Sequence, residues 1–435
     1  MVKLEDVFGV SGKQVKSYVI REYVDDKLID ALRTDKQVIV YGASKQGKTA
    51  LVSKYIKYNE NIVVSLSPKF ELEDIYKSIL RDAGVTVRTA FTEGSGKATK
   101  VGLKAQVQAT IAMIFKSNVS GEISETESKN SISQYEEIEF NLGLPNDVAS
   151  LINKVNCKKV VILENFHYLS EEKQRQFAFD LRTFQDLKVK FVILGVWKEA
   201  NRLAQFNGDL QDRVVDVPVE PWSKDDFVAI ARKGESELNI VMHEDVITKC
   251  IDSAFNSVGV YQELLKGTCR GNGIIVKQTE TALVDDISAV DKIILEKTEY
   301  YSGRHLRNLE AIASGNGSLI QDDRPLPYFM SYYIVKALLE IGFDGLNGGV
   351  PRDALMQKIV LIHHRRADLK GGQLTAALKK IGDLQSTKGI NPPVLAYDSN
   401  TRLLKVIDST FYFFMKYANL EMISEDIVSP IDCMS

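Results

Sequence analysis

Apolar and polar positions in the first half of the chain follow two patterns in turn. Short, nearly all-apolar runs stand at 38–41 (VIVY), 61–66 (NIVVSL), 160–163 (VVIL), 191–196 (FVILGV) and 214–219 (VVDVPV). Among them lie segments with apolar residues at helical spacing, 48–58, 72–83 and 171–187. A strand without polar alternation is buried on both faces. Such strands interleaved with helices predict an α/β domain, a parallel sheet covered on both sides, ending near Pro221.

Between 90 and 133 this pattern breaks. Val101, Leu103, Ala105, Val107, Ala109, Ile111, Met113 and Phe115 are separated mostly by polar residues. That is the period of a half-buried strand, so an inserted β-type segment is expected, packed on its own domain, or else pairing with a strand of another subunit or touching a membrane as a hairpin. Residues 223–271 read as all helical, with Ser223 before Asp225 and Asp226 as a capped start. A helical connector follows over 280–315. Helices are then expected at 330–341, 351–363 and 372–385, and β-type runs at 394–397 and 403–407 around the turn Asp398-Ser399-Asn400. Helix, helix, helix, hairpin is the order of a winged helix. Three parts result: 1–220 with its insertion 90–133, a lid and connector over 221–315, and a winged-helix domain over 316–435.

One octet carries chemistry. Gly42-Ala43-Ser44-Lys45-Gln46-Gly47-Lys48-Thr49 matches G-x-x-x-x-G-K-[ST] and falls between a buried strand and a helix. In that setting the glycines let successive backbone N–H groups point at phosphate oxygens, and the helix N-terminus adds partial positive charge. Lys48 would reach the β and γ phosphates of ATP, and the Thr49 hydroxyl would bind Mg²⁺. The second acid such a site needs is found after VVIL, at Glu164, where aspartate is usual, with Asn165 where a catalytic glutamate usually stands. An amide accepts no proton from water, so hydrolysis is expected to be slow unless Glu164 or His167 takes that role.

Composition sets bounds on this picture. The chain has 435 residues, 55 basic and 58 acidic, a net charge of −3, room for two to four domains and no bulk attraction to nucleic acid. Locally the balance differs: between 350 and 390 eight basic residues face three acidic ones. Within the expected recognition helix, 374–385, Thr375, Lys379 and Gln385 are the base-facing candidates, which favours phosphate contact over sequence reading. Contact with a protein through the same module is the equal alternative. Cys157, Cys250, Cys269 and Cys433 are far apart, which points to reduced thiols and not to a zinc site. With no signal-like start and no apolar run near ~18 residues, an intracellular protein with no membrane contact is expected.

The segments YGASKQGKT (41–49), LENFHYLS (163–170) and NGDLQDRVVDVPVEPWS (207–223) resemble AAA+ and STAND P-loop ATPases, in particular prokaryotic ATPases of the origin-recognition type. The resemblance covers roughly residues 15 to 420. It implies an ATPase core, a helical lid and a C-terminal winged helix, with Arg213 as a finger reaching the nucleotide of a neighbouring subunit. Two family positions are unmatched. Trp197 and Lys198 follow FVILGV where a polar sensor is expected, leaving Asn201 as the nearest amide, and the lid's G-x-x-R is Gly259-Val260-Tyr261-Gln262. The resemblance then implies a slow ATP-dependent switch, working through self-assembly or a partner protein in phage or plasmid defence. The alternatives are an initiator or loader that binds duplex DNA through the winged helix, and a scaffold that holds nucleotide without turnover.

Overall fold

The computed structural model describes residues 1–10, 14–85, 108–114, 135–316 and 325–432. Five parallel strands form its central sheet: β1 (Gln37–Gly42), β2 (Ile62–Ser65), β3 (Val161–Glu164), β4 (Phe191–Val196) and β5 (Val214–Pro218), in the order β2-β3-β4-β1-β5. Every residue of β1 and β4 is buried. Ile39 and Tyr41 face one layer with Leu163, Ile193 and Phe177, while Val38 and Val40 face the other with Leu51, Val52 and Leu28. The expected α/β core is therefore present, with the P-loop leaving the carboxyl end of the inner strand β1.

The helix after the P-loop is shorter than its pattern suggests. It spans Lys48–Tyr55, Ile56 is extended, and a 3₁₀ turn Tyr58–Glu60 follows. A helix at Pro145–Lys154, not expected from the pattern, packs on the core through Val148, Leu151 and Ile152. Within the insertion, a strand Gln108–Ile114 pairs antiparallel with Tyr135–Asn141, which lies past the insertion's expected end. Phe140 of that partner strand is buried in the core of the α/β domain. The rest of 90–133 lies outside the described residues.

The lid is not all helical. Ile240–Met242 and Ala282–Val284 pair as a short parallel ribbon beside the helices Lys224–Leu238, Glu244–Asp252 and Val258–Gly271. Nor is the lid built from 221–315 alone. Leu4, Val7 and Phe8 at the chain's start are buried in its core against Phe227, Ile230 and Leu264. A boundary drawn at 220 assigns them to the wrong core.

The C-terminal part runs three helices and then a hairpin, the order expected from the sequence. Helices Met330–Leu346, Arg352–Ile362 and Gly371–Lys379 precede the strands Leu395–Asp398 and Leu403–Val406, and Val350–Pro351 adds a third strand. The helix expected over 372–385 is broken at Lys380 and continues as Ile381–Thr387. Gln385 is fully buried. It donates to the Ile381 and Leu395 carbonyls and accepts from the Val394 and Leu395 amides, so it ties helix to strand and cannot read a base. Among the described residues, no helix is long and apolar enough to cross a membrane.

Candidate functional site

Residues 44–50 of the P-loop wall a cavity of about 300 Å³. The loop turns through left-handed backbone at Lys45 (φ 61°) and Gly47 (φ 82°), and the second of these is where glycine's freedom is needed. Lys48 folds back on the loop, its Nζ donating to the Gly42 and Ala43 carbonyls at 3.0 and 2.6 Å. Burial, against the pull of Glu220 and Glu164, lowers its pKa to about 8. From outside, the Glu220 carboxylate accepts from the Ala43 amide at 2.5 Å and from Gln46 Nε2 at 3.1 Å, bracing the turn.

Thr49 and Glu164 come together across 115 residues of sequence: the Thr49 hydroxyl donates to Glu164 Oε2 at 3.2 Å. The other carboxylate oxygen, Oε1, accepts from the Tyr58 hydroxyl at 2.5 Å. Burial holds the Glu164 carboxyl above its usual range, with Tyr58, Thr49 and Lys48 opposing. One hydroxyl and one carboxylate beside a phosphate cradle suit Mg²⁺, which takes few protein ligands and completes its shell with water and phosphate oxygens.

Asn165 adopts left-handed backbone (φ 61°) and, like His167, lines the cavity. His167 Nδ1 is buried without a hydrogen-bond partner, and burial followed by the Lys48 charge depresses its pKa to about 3. His167 is thus a weak base that stays neutral, and it does not replace the missing glutamate. At the end of β4 the cavity meets Leu194 and Val196, while Asn201 is held by Asp216 outside the lining. Among the described residues, that strand brings no side-chain amide to the cavity lining.

The far end of the cavity is built by the N-terminal segment and the lid. Val10, Tyr18, Val19, Trp222 and Val258 supply an apolar slot. The Arg21 guanidinium lies 3.5 Å from the Trp222 ring centre and donates to the Val219 carbonyl at 2.8 Å. Trp222 Nε1 is buried without a partner, a donor that a base bound in this slot could satisfy. Gln262, in place of the sensor arginine, accepts from the Gly9 amide at 3.1 Å and donates to Ser17 Oγ at 2.9 Å. It knits lid to N-terminal segment.

Lid and P-loop meet closely at Gly259, whose amide donates to the Lys45 carbonyl at 3.0 Å. A Cβ there would stand 2.5 Å from Lys45 Cβ and 2.8 Å from Lys45 O. Gly259→Ala should therefore push the P-loop out of shape, costing about 1–3 kcal/mol of stability as overpacking does. A lowered melting temperature together with weakened ATP affinity is the expected result, and an unchanged melting curve contradicts it.

Arg213 sits at the opposite end of the sheet. Its carbonyl accepts from Gln37 at the start of β1, and its side chain pairs with Asp186 at 2.5 Å, partners other than the nearby Asp209 and Asp212. From there it cannot reach its own cavity. Any finger role is exerted on another copy.

The C-terminal domain lies directly on the P-loop, which the sequence did not reveal. The Ser44 amide donates to the Ile407 carbonyl at 3.2 Å, and Ser409 Oγ donates to the Ser44 carbonyl at 3.2 Å. Ser257 of the lid reaches Ser409 Oγ at 2.8 Å, and Lys45 Nζ stands 5.3 Å from the Tyr301 ring centre. A second contact forms beyond β3 and β4. There His167, Ser170, Glu171 and Arg202 share a cleft with Lys379, Ile381, Asp383 and Asn391. Burial and then the Glu171 charge hold the Asp383 carboxyl above its usual range. One side of the expected recognition helix therefore faces the α/β domain.

No protein-family model and no curated protein matches the sequence. Among solved structures, the chain is similar to the Walker-type ATPase of Pyrococcus abyssi, at 12% identity over 94% of this chain and 99% of that one, with a TM-score of 0.49. The Aeropyrum pernix Orc1 protein in complex with DNA aligns at 10% identity over 98% and 96%, with a TM-score of 0.41. The RuvB Holliday junction branch migration motor of Thermotoga maritima aligns at 12% identity over 92% and 96%, with a TM-score of 0.37.

Proposed function

Taking as premise a chain with the fold of an AAA+-type P-loop ATPase, we propose that it is an ATP-dependent conformational switch. Residues 42–49 grip the triphosphate, Lys48 neutralises its tail, and occupancy of the loop sets whether the winged-helix domain stays docked. The observation that carries this reading is the backbone hydrogen bond from Ser44 to Ile407. It joins the C-terminal domain to the phosphate loop, so a rearrangement of the loop bears directly on that contact.

Thr49 and Glu164 are the residues that would hold Mg²⁺, which supplies charge neutralisation at the phosphate oxygens. With an amide at Asn165 and a weakly basic His167, turnover is slow and resets the switch. Undocking frees the face near Lys379 and Ile381 for copies of the chain or a partner protein. Arg213 completes the site of a neighbouring copy.

The test is ATPase rate against protein concentration for wild type and Arg213→Ala. A rate per subunit that rises with concentration in wild type and stays flat in Arg213→Ala is expected, with ATP binding by the isolated subunit unchanged. Normal hydrolysis by Arg213→Ala removes the finger from the account.

A second reading is favoured by one observation. Lys379 and Lys380 are exposed where the helix Gly371–Lys379 ends, at the rim of the cleft against the α/β domain that Lys379 helps line. In an initiator or loader, ATP would open this face to duplex DNA, and affinity would fall steeply with salt and in Lys379→Ala/Lys380→Ala. ATP-driven assembly without salt-sensitive DNA binding favours the first reading.

A further inference from the structure

The acid that ends β3 is a glutamate, one methylene longer than the aspartate usual at this place in a P-loop site. With an extra torsion, an unanchored carboxylate would divide its time between the Thr49 hydroxyl and the Lys48 ammonium, and each rotamer lost on metal binding costs free energy. In this chain the carboxylate is anchored. The Tyr58 hydroxyl donates to Oε1, and only Oε2 is turned to Thr49.

Tyr58 itself is well placed to act as a fixed point. It stands in the 3₁₀ turn that follows the P-loop helix and, like Tyr55 and Val63, is partly buried against the apolar layer between that helix and the sheet. Burial and the neighbouring Glu164 charge keep the phenol protonated far above neutrality, so it serves as a donor throughout.

We propose that Tyr58 is a positioning residue for the metal site: it fits the longer glutamate side chain to the place of an aspartate, presenting Oε2 beside the Thr49 hydroxyl. This rests on the P-loop reading above and adds to it a residue 106 positions from Glu164 in sequence. Partners that orient a metal ligand without touching the metal commonly matter nearly as much as the ligand.

The experiment uses the full chain and a fluorescent ADP, N-methylanthraniloyl-ADP, titrated in EDTA and at rising MgCl₂. Tyr58→Phe removes one oxygen and keeps the ring's packing. Its affinity in EDTA should match wild type, while the Mg²⁺ concentration giving half of the metal's effect should rise roughly tenfold. In Glu164→Asp the shortened carboxylate no longer reaches Tyr58, so adding Tyr58→Phe to it should leave the Mg²⁺ curve where it was.

An Mg²⁺ curve identical in wild type and Tyr58→Phe overturns the inference, as does an equal loss with and without metal, which marks a merely structural role. Wild type that takes up no nucleotide sinks the P-loop reading and this inference with it. Wild type that responds to Mg²⁺ beside an unmoved Tyr58→Phe sinks this inference alone.

Discussion

Lys48→Ala leaves a folded protein that no longer takes up ATP at physiological concentration. In the free protein the ammonium group is buried against two carbonyl oxygens, and its lowered pKa of about 8 shows that the fold does not favour its charge. Alanine therefore costs the empty fold little. A triphosphate, by contrast, would be left with an unneutralised tail in a buried cradle. Removing one partner of such a pair costs about 3–5 kcal/mol, or roughly two to four orders of magnitude in affinity. Isothermal titration with ATP and Mg²⁺, alongside a thermal melt, measures both sides. Micromolar affinity retained by Lys48→Ala contradicts the role given to the lysine.

The same group predicts a pH dependence. Bound phosphate stabilises the charged lysine and raises its pKa above the free value of about 8. The full contribution is then present below that value. As pH rises through 8 the free lysine loses its proton, which must be regained on binding, and affinity falls by up to about tenfold per pH unit.

Asp408→Ala has the second large effect, on docking. The Asp408 side chain is almost fully buried beneath the helix Ser409–Tyr417, whose start it caps through the Thr410 amide at 3.0 Å. Burial opposes its charge, but Arg304 and the nearby His305 outweigh it and hold the carboxyl below its usual range. Alanine would leave the one-third-exposed Arg304 guanidinium without its partner, at a cost of about 1.5–3 kcal/mol, and would uncap the helix at about 1 kcal/mol more. That helix carries Phe411 and Phe414 into the core of the C-terminal domain and Phe413 into the lid core, so its loosening undoes the joint between the two. A melting temperature lower by about 10 °C is expected, together with faster proteolysis after residue 313. A shift within about 2 °C contradicts the assignment. Acid should act in the same direction. His305, kept neutral by burial down to about pH 4, weakens the joint as pH falls from its unfolded value of about 6.5. The contribution of Asp408 is present above the ordinary carboxylate range and is lost as pH falls through its depressed value.

Much of this was legible in the sequence because the signals are local. VIVY and the octet from Gly42 to Lys48-Thr49 mark strand, loop and helix start within twelve residues, 38–49, and VVIL marks the place of Glu164. What escaped is non-local. The lid ribbon joins three-residue strands about forty positions apart, too short for any period to show. Tyr58 and Glu164, or Arg304 and Asp408, meet only once the chain is folded, and no spacing rule connects them. Gln385 was misplaced for a different reason. Helical periodicity gives a face, and a polar residue on it reads as exposed unless the buried amides and carbonyls it satisfies are known. Leu4, Val7 and Phe8 are apolar enough to belong to a core, but the sequence does not say which one.

The central claim is that filling the P-loop and releasing the winged helix are one event. Hydrogen exchange of the full chain, read by peptide mass with and without ATP and Mg²⁺, tests it most directly. The account predicts protection of residues 44–50 together with faster exchange across 407–417. Protection of the P-loop with 407–417 unmoved would contradict it.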